Sequence, residues 1–347
     1  MVSIARSAAA LVFGALVVAA MAAAGMQTGT PTTTEGRQTM KAVRIHQFGG
    51  PEVLTYEDAP RPEPGEGEVL IRVHAAGVNP VDWKTRQHGF RRKELPAILG
   101  WDASGVIEAV GPGASKFKPG DEVYAMTDLA RDGTYAEFVV TREDAVALKP
   151  RTLDHVQAAA VPLAALTAWQ AMFDTAGLKE GQTVLIHGAA GGVGHLAVQL
   201  AKARGARVIG TASAGNHEFL KRLGCDEVID YRTTRFEDAV KDADVVLDTV
   251  GGETLERSYD AVKPGGFVVS IIGQPSEEKA RERGVGTARI LVRPNGEQLA
   301  EIGALIDAGK VKPEVPHVFP LAEAAKAHEQ SQSGHTRGKI VLKVVEE

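Results

Sequence analysis

The stretch TVLIHGAAGGVGHLAVQLAKARGARVIGTA, residues 183–212, decides the fold. A short apolar run enters a glycine cluster, HGAAGGVG (residues 187–194). Apolar residues then recur at a helical period as far as Gly205, and a second apolar run, RVIGTA, follows. Strand, glycine turn, helix, strand is the setting in which a backbone free of side chains lets N–H groups approach a pyrophosphate. The helix N-terminus adds a dipole that favours negative charge. A strict G-x-G-x-x-G would place glycine at 189, 191 and 194, but the first position is Ala189. The expected pyrophosphate contacts are Ala190, Gly191, Gly192, Val193 and Gly194.

Outward from this unit the alternation continues. NHEFLKRLG reads as a helix, and EVIDY, VVLDTV and FVVSIIG read as strands. Fully apolar strands joined by helices indicate a parallel sheet covered on both faces. There are too few alternations for an eight-unit barrel, so the expectation is an α/β, doubly wound sheet. RILVRPN (residues 289–295) reads as its last strand and open edge. Upstream, KAVRIHQF, VLIRVHAAGV, ASGVIEAVG and DEVYAM are β-rich segments separated by Pro and Gly. Downstream, GEQLAEIGALIDAGKV reads as an amphipathic helix, and GKIVLKVV as a final strand returning to the β-rich part. The second strand of the sheet ends in Ser213, Ala214, Gly215 and Asn216, where a ribose 2′-hydroxyl would call for an acid. Ser213, Asn216 and Tyr231 instead suit a 2′-phosphate, so the expected cofactor is NADPH.

The chain has 347 residues, a length that suggests about two domains. With 44% hydrophobic and 24% charged residues it has a globular composition. A net charge of −5 without a long basic run argues against a nucleic-acid partner. The single cysteine, Cys225, excludes an intrachain disulfide and a multi-cysteine metal site, and its expected role is packing. The start is different in kind. Residues 1–24 combine Arg6, an apolar run and small residues at Ala22, Ala23 and Ala24, which reads as a cleaved secretory signal. Residues 25–39 read as a linker, leaving no stable membrane span in the mature chain. The expectation is therefore an exported, periplasmic protein, with a cytoplasmic product starting at Met40 as the alternative. Export conflicts with the cofactor, because a periplasm has no obvious NADPH supply.

Residues 40–347 resemble the medium-chain dehydrogenase/reductase superfamily, in its zinc-free quinone oxidoreductase (zeta-crystallin-like) branch. The resemblance rests on FGGPEVL, AAGVNPVDWK, ILGWDASGVI, PGDEVYAM, LTAWQAMF, HGAAGGVG, DEVIDYR, DTVGG and GKIVL, in that order. It implies a GroES-like β-rich catalytic domain, residues 40–155 with 297–347, and an inserted Rossmann domain, residues 156–296. It implies hydride transfer from NADPH to a quinone or an α,β-unsaturated carbonyl. The alternatives are an enoyl-thioester reductase on the same fold and a non-catalytic NADPH-binding structural or regulatory protein. Zinc-dependent relatives carry a ligand cysteine at the position of Asn79 and a histidine at that of Trp101. Without thiolate and imidazole donors no catalytic zinc is expected.

By the same resemblance Asn79 lies beside the nicotinamide, and Thr167, Thr249 and Gly251 contact the cofactor. Asn79 before Pro80, with Asp82 three residues on, is also good N-cap chemistry. Lys84 is a candidate cation for the oxygen that gains charge as hydride arrives. Trp101 is a candidate wall for a planar acceptor or a core residue. The proton donor is left to water. Related reductases join open sheet edges across a two-fold axis, which implies a homodimer.

Overall fold

The computed structural model describes residues 38–90 and 94–345. The expected signal and most of the expected linker lie outside them. Six parallel strands form one sheet: Thr183–Ile186, Arg207–Ala212, Glu227–Asp230, Ala243–Asp248, Val262–Ser270 and Gly286–Arg289. Numbered along the chain, their spatial order is 3-2-1-4-5-6. The order reverses between the first and fourth strands, and a crevice opens there, beyond their carboxyl ends. Val184, Leu185 and Ile186 are wholly buried because helices cover both faces.

The alanine in the glycine turn is matched by a glycine on the neighbouring strand. A Cβ at Gly210 would lie 2.8 Å from the Ala189 methyl and 3.1 Å from Cys225 Sγ. Ala189 therefore fits because Gly210 leaves room. Cys225 is buried in this small-residue nest, where burial pushes its thiol up to about 11, so it is inert packing.

The sheet ends earlier than expected. Gly286–Arg289 is the edge strand, and residues 290–295 leave the sheet instead of extending it. Gln170 captures this departing segment: its amide donates to Arg293 O (2.9 Å) and accepts from Arg293 N–H (3.0 Å). Pro294, lacking an N–H, does not suit a continued ladder.

A second, mixed sheet has the order His317–Pro320, Ile340–Lys343, Glu68–Val78, Asp102–Val110, Glu122–Met126, Val146–Leu148. Phe138–Arg142 also pairs with Glu68–Val78. The strand Ile340–Lys343 runs antiparallel to residues 75–78, with Ile340 opposite Val78, so the chain's end closes on its β-rich beginning. A three-stranded sheet places Thr39–Ile45 between Leu54–Pro60 and Ala97–Ile98.

The Ala189–Gly210 match is testable. Gly210→Ala overpacks the nest and lowers the unfolding free energy by about 1–3 kcal/mol, a fall in melting temperature of a few degrees for a chain this long. Adding Ala189→Gly restores most of the loss. Purely additive effects in urea titrations of the four proteins would refute the match.

Candidate active site

At the carboxyl ends of the parallel strands lies a cleft of about 800 Å³. Its floor is the glycine turn between Thr183–Ile186 and the helix Gly194–Ala203. Gly188 turns the chain with φ of +63°, and Ala189 N–H donates to Thr211 O. Ala190, Gly191, Gly192 and Val193 line the cleft. A Cβ at Gly191 would meet only Gly188 O at 3.2 Å, and one at Gly192 would press Lys339 Cδ at 3.3 Å. Gly194 differs. A Cβ there would lie 2.3 Å from Gly188 O, so this glycine packs the helix onto the turn and does not face the cleft.

Two buried histidines hold the floor. His195 Nδ1–H donates to Gly191 O (2.9 Å), and Glu314 N–H donates to His195 Nε2 (3.2 Å). His187 Nε2–H donates to Ser258 Oγ (3.1 Å), whose own proton goes to Thr254 O. Thr211 Oγ1 accepts from Gly188 N–H and donates to His187 Nδ1 (3.2 Å). Both tautomers follow from what the partners can donate and accept. Burial pulls both rings down to about 4, so they are neutral struts.

Ser213, Asn216, Tyr231 and Arg232 line one end of the cleft. Arg337, from the far end of the chain, closes it. Arg337 Nε–H donates to Asn216 Oδ1 (2.8 Å) and its terminal nitrogen donates to Gly215 O (3.0 Å). Asn216 in turn donates to Ser213 Oγ (3.2 Å). Thr249 also lines the cleft, with its hydroxyl donating to His187 O (2.7 Å). Gly251, at φ +80°, lies behind the lining, where Asp248 Oδ1 accepts its N–H (2.8 Å).

At the other end the lining includes Asn79, Lys84, Thr167 and Lys339. Asn79 stands at the N-cap of the helix Pro80–His88, where its side chain and that of Asp82 form a capping box. The Asp82 carboxylate accepts Asn79 N–H (2.8 Å), while the Asn79 amide accepts from Lys339 Nζ and donates to Asp102 Oδ2 (2.8 Å). Lys339 is 2% exposed and Asp102 fully buried, and their charges are 3.6 Å apart. Burial lowers the lysine and raises the aspartate, and each opposes the shift in the other. Asp82 Oδ2 also accepts from Tyr135 (2.6 Å), and burial raises Asp82 to about 7. Lys84 is half-buried, and burial with nearby Arg289 lowers it.

Trp101 does not wall the cleft. It is 0% exposed, with its indole N–H 3.4 Å from Arg131 O, because the strand from Asp102 carries it into the core. Lys339, Asp102 and Arg337 were not among the site residues expected from sequence. Arg337 immediately precedes, and Lys339 lies within, the segment GKIVLKVV that reads only as a final strand, and their partners are more than a hundred residues away. Among the described residues, no group of three His, Cys, Asp or Glu side chains is placed to hold a metal ion. Also among them, no helix is long and apolar enough to cross a membrane.

Known proteins resemble this chain in sequence and fold. Residues 65–151 match the family described as alcohol dehydrogenase GroES-like domain, and residues 223–342 that described as zinc-binding dehydrogenase. The quinone oxidoreductase of Rattus norvegicus is 35% identical, over 88% of this chain and 98% of its own. The quinone oxidoreductase structure from Coxiella burnetii superimposes with a TM-score of 0.82 at 40% identity, covering 89% of this chain and all of that one. The chain belongs to the zinc-independent quinone oxidoreductase branch of the medium-chain dehydrogenase/reductase superfamily. It is an NAD(P)H-dependent oxidoreductase. The mitochondrial NAD(P)H oxidoreductase RTN4IP1 of Homo sapiens is 35% identical over 90% of this chain and 92% of its own. That comparison corrects the expectation of export: these relatives are named as mitochondrial, not as periplasmic.

The neutral histidines fix an acid limit. Unfolded histidines titrate near 6.5, whereas His187 and His195 titrate at about 4 and His328 at about 3, all through burial. Between these values the unfolded chain binds more protons, so stability is full above pH 6.5 and is lost as pH falls toward 4. Asp82 runs the other way: its contribution is full below its unfolded value of 3.8 and is lost as pH rises through about 7. His155 is likewise pulled down to about 4 by burial, and Asp102 is raised like Asp82, so four histidines outweigh two carboxyls at pH 5. Urea unfolding should therefore show lower stability at pH 5 than at pH 6.5, by about 1.4 kcal/mol per net proton per pH unit. His195→Gln should make that dependence shallower, and an unchanged slope would refute the assignment.

Proposed function

We propose that this enzyme uses NADPH to reduce quinones or other conjugated carbonyl acceptors in the cleft described above. The observation that carries the reading is that one cleft joins the glycine turn and the Arg337 end to Asn79 and Thr167. When bound, the nicotinamide supplies a hydride; the acceptor takes it with one solvent proton, leaving NADP+. The chain's own residues bind and orient. Gly191 and Gly192 offer a side-chain-free floor for the pyrophosphate, with Val193 beside them at a helix N-terminus. Ser213, Asn216, Tyr231 and Arg337 surround the place for a 2′-phosphate. Thr167 and Asn79 flank the reacting end, and Asn79 donates to the acceptor oxygen that gains negative charge. Lys84 adds a positive charge to the same end. Leu129, Leu163 and Ile271 supply the apolar wall against a planar acceptor.

A second acceptor class, an enoyl-thioester, is favoured by a separate observation. Lys84 and Arg289 both line the cleft, and no carboxylate among the described residues pairs with either. A thioester carrier rich in phosphate would suit them. NADPH oxidation followed with a quinone, an enone and an enoyl-thioester decides between the classes. Tight NADPH binding with no turnover on any acceptor would leave a binding protein. We also read residues 40–155 with 297–347 as the catalytic domain, residues 156–296 as the nucleotide domain, and Gly286–Arg289 as the edge that pairs in a homodimer. Light scattering that finds a monomer at micromolar concentration would refute the last.

The cofactor preference has its own test. A charge-assisted hydrogen bond to phosphate contributes about 1.5–3 kcal/mol, or roughly ten- to hundredfold in affinity. Arg337→Gln should weaken NADPH by that factor and spare NADH, and Ser213→Asp should reverse the ratio by adding a repelling carboxylate. Equal effects on both cofactors would show that the phosphate sits elsewhere.

A further inference from the structure

Lys339 is a charged side chain with no surface role. It precedes the strand Ile340–Lys343, lines the cleft, and is 2% exposed. Its ammonium has three hydrogens and no lone pair. One goes to Val78 O (2.9 Å), one to Asn79 Oδ1, and the third faces Asp102 Oδ2 at 3.6 Å. Two hydrogens are bonded within the protein and the charge faces a buried carboxylate, so the ammonium is committed to protein oxygens. Its effect must pass through a neighbour, and the neighbour at the reacting end is Asn79.

An asparagine amide has two faces, and nothing intrinsic distinguishes them in a cleft. Here both are chosen. A lysine only donates, so the face toward Lys339 must be Oδ1. An ionised carboxylate only accepts, so the face toward Asp102 must be Nδ2, at 2.8 Å. Asp102 is itself fixed, because its other oxygen accepts Leu163 N–H (2.6 Å) at the start of the helix Pro162–Trp169, which also carries Thr167. With Oδ1 taken by the cation and one Nδ2 hydrogen taken by Asp102, the amide keeps a single N–H. A cation on Oδ1 also polarises the amide and strengthens that remaining donor.

We propose that Lys339 is a positioning residue: with Asp102 it locks the Asn79 amide so that one N–H is presented to the acceptor's carbonyl or quinone oxygen. The proposal rests on the reading that Asn79 bonds the acceptor, and goes beyond it by naming what sets the amide's orientation and strength. Holding an ammonium in a buried site carries a desolvation cost that an apolar side chain would avoid. A lysine that only filled space or joined two strands could be replaced by methionine without affecting turnover. The lock requires the charge.

The test is a double-mutant cycle on the full-length enzyme, with 1,4-benzoquinone as acceptor, kcat as readout and NADPH affinity measured separately by fluorescence titration. Asn79→Ala and Lys339→Met are each expected to lower kcat on the order of ten- to hundredfold with NADPH affinity retained. The double variant should be no worse than the poorer single, because the two act as one unit. Lys339→Arg, which keeps the charge, should recover part of the loss. If Asn79→Ala lowers kcat while Lys339→Met does not, or if the two losses multiply, the lock is refuted and the role of Asn79 stands. Full kcat in Asn79→Ala removes the reading on which the proposal rests. Should Lys339→Met fail to fold, Asn79→Asp decides. It keeps an oxygen for Lys339 but lacks the spare N–H, so the lock predicts a folded protein with the same loss of kcat. Retained kcat would mean that the lysine contact is only a structural tie.

Discussion

A single buried ammonium constrains the architecture of the cleft. Lys339 can be charged in that position only if oxygen atoms meet it from every side, since an unpaired buried charge costs several kcal/mol. Val78 O, Asn79 Oδ1 and Asp102 are those oxygens, and each comes from a different piece of backbone or side chain. Asp102 also reaches Leu163 N–H, and so anchors the helix bearing Thr167. The requirement to satisfy one charge therefore fixes a strand end, a helix N-cap and the start of a second helix.

The segment around Lys339 also laces the cofactor turn to the acceptor end. Gly338 N–H donates to Ala190 O, Lys339 N–H donates to Glu314 O, and Glu314 N–H donates to His195. His195 in turn holds Gly191 O. Gly192 has no side chain where Lys339 Cδ passes, at the distance of a tight contact. The glycine turn thus does two things at once: it leaves open floor toward the cleft and a seat for the lysine stem. Two of these four hydrogen bonds are backbone to backbone and two belong to the His195 ring, so the register of the two ends depends on that side chain.

The parts of this arrangement that were legible in the sequence are those written in local pattern. The apolar runs at 183–186, 207–212 and 243–248 announce a parallel sheet, and the glycines after the first announce the turn. Long-range pairings left no such trace. Arg337 and Lys339 look like ordinary cations at the start of a final strand, because their partners stand 121 and 260 positions away. Asn79 read equally well as a helix cap and as a cleft residue, and the structure gives it both places: it shares a capping box with Asp82, and its amide reaches Asp102. Trp101 was open between a cleft wall and the core, and it lies in the core because residues 101–105 are all buried, with no alternation to turn one of them outward. The edge strand was drawn too far along because Gln170, distant in sequence, supplies the bonds that pull residue 293 away.

The distribution of charge explains why so many cations can share one cleft. Lys84, Arg232, Arg257, Arg289, Arg337 and Lys339 line it, and no Asp or Glu of the described residues does. The carboxylates that stabilise it, Asp102, Asp82 and Asp248, sit one layer behind the wall, fully buried. Asp102 balances Lys339 and orients Asn79, while Asp248 binds the N–H groups of Val250 and Gly251 and shapes the turn beside Thr249. An acid moved forward to the surface would repel a phosphate at one end and a developing oxyanion at the other. Kept behind, it neutralises the buried lysine without changing the sign of the field that a ligand meets. The same layering gives the two ends different work from similar charges. At the Ser213 end, Arg337 is only partly engaged and keeps donors for an anion, whereas at the Asn79 end the lysine is bonded to Val78 O and Asn79 Oδ1 and its charge faces Asp102.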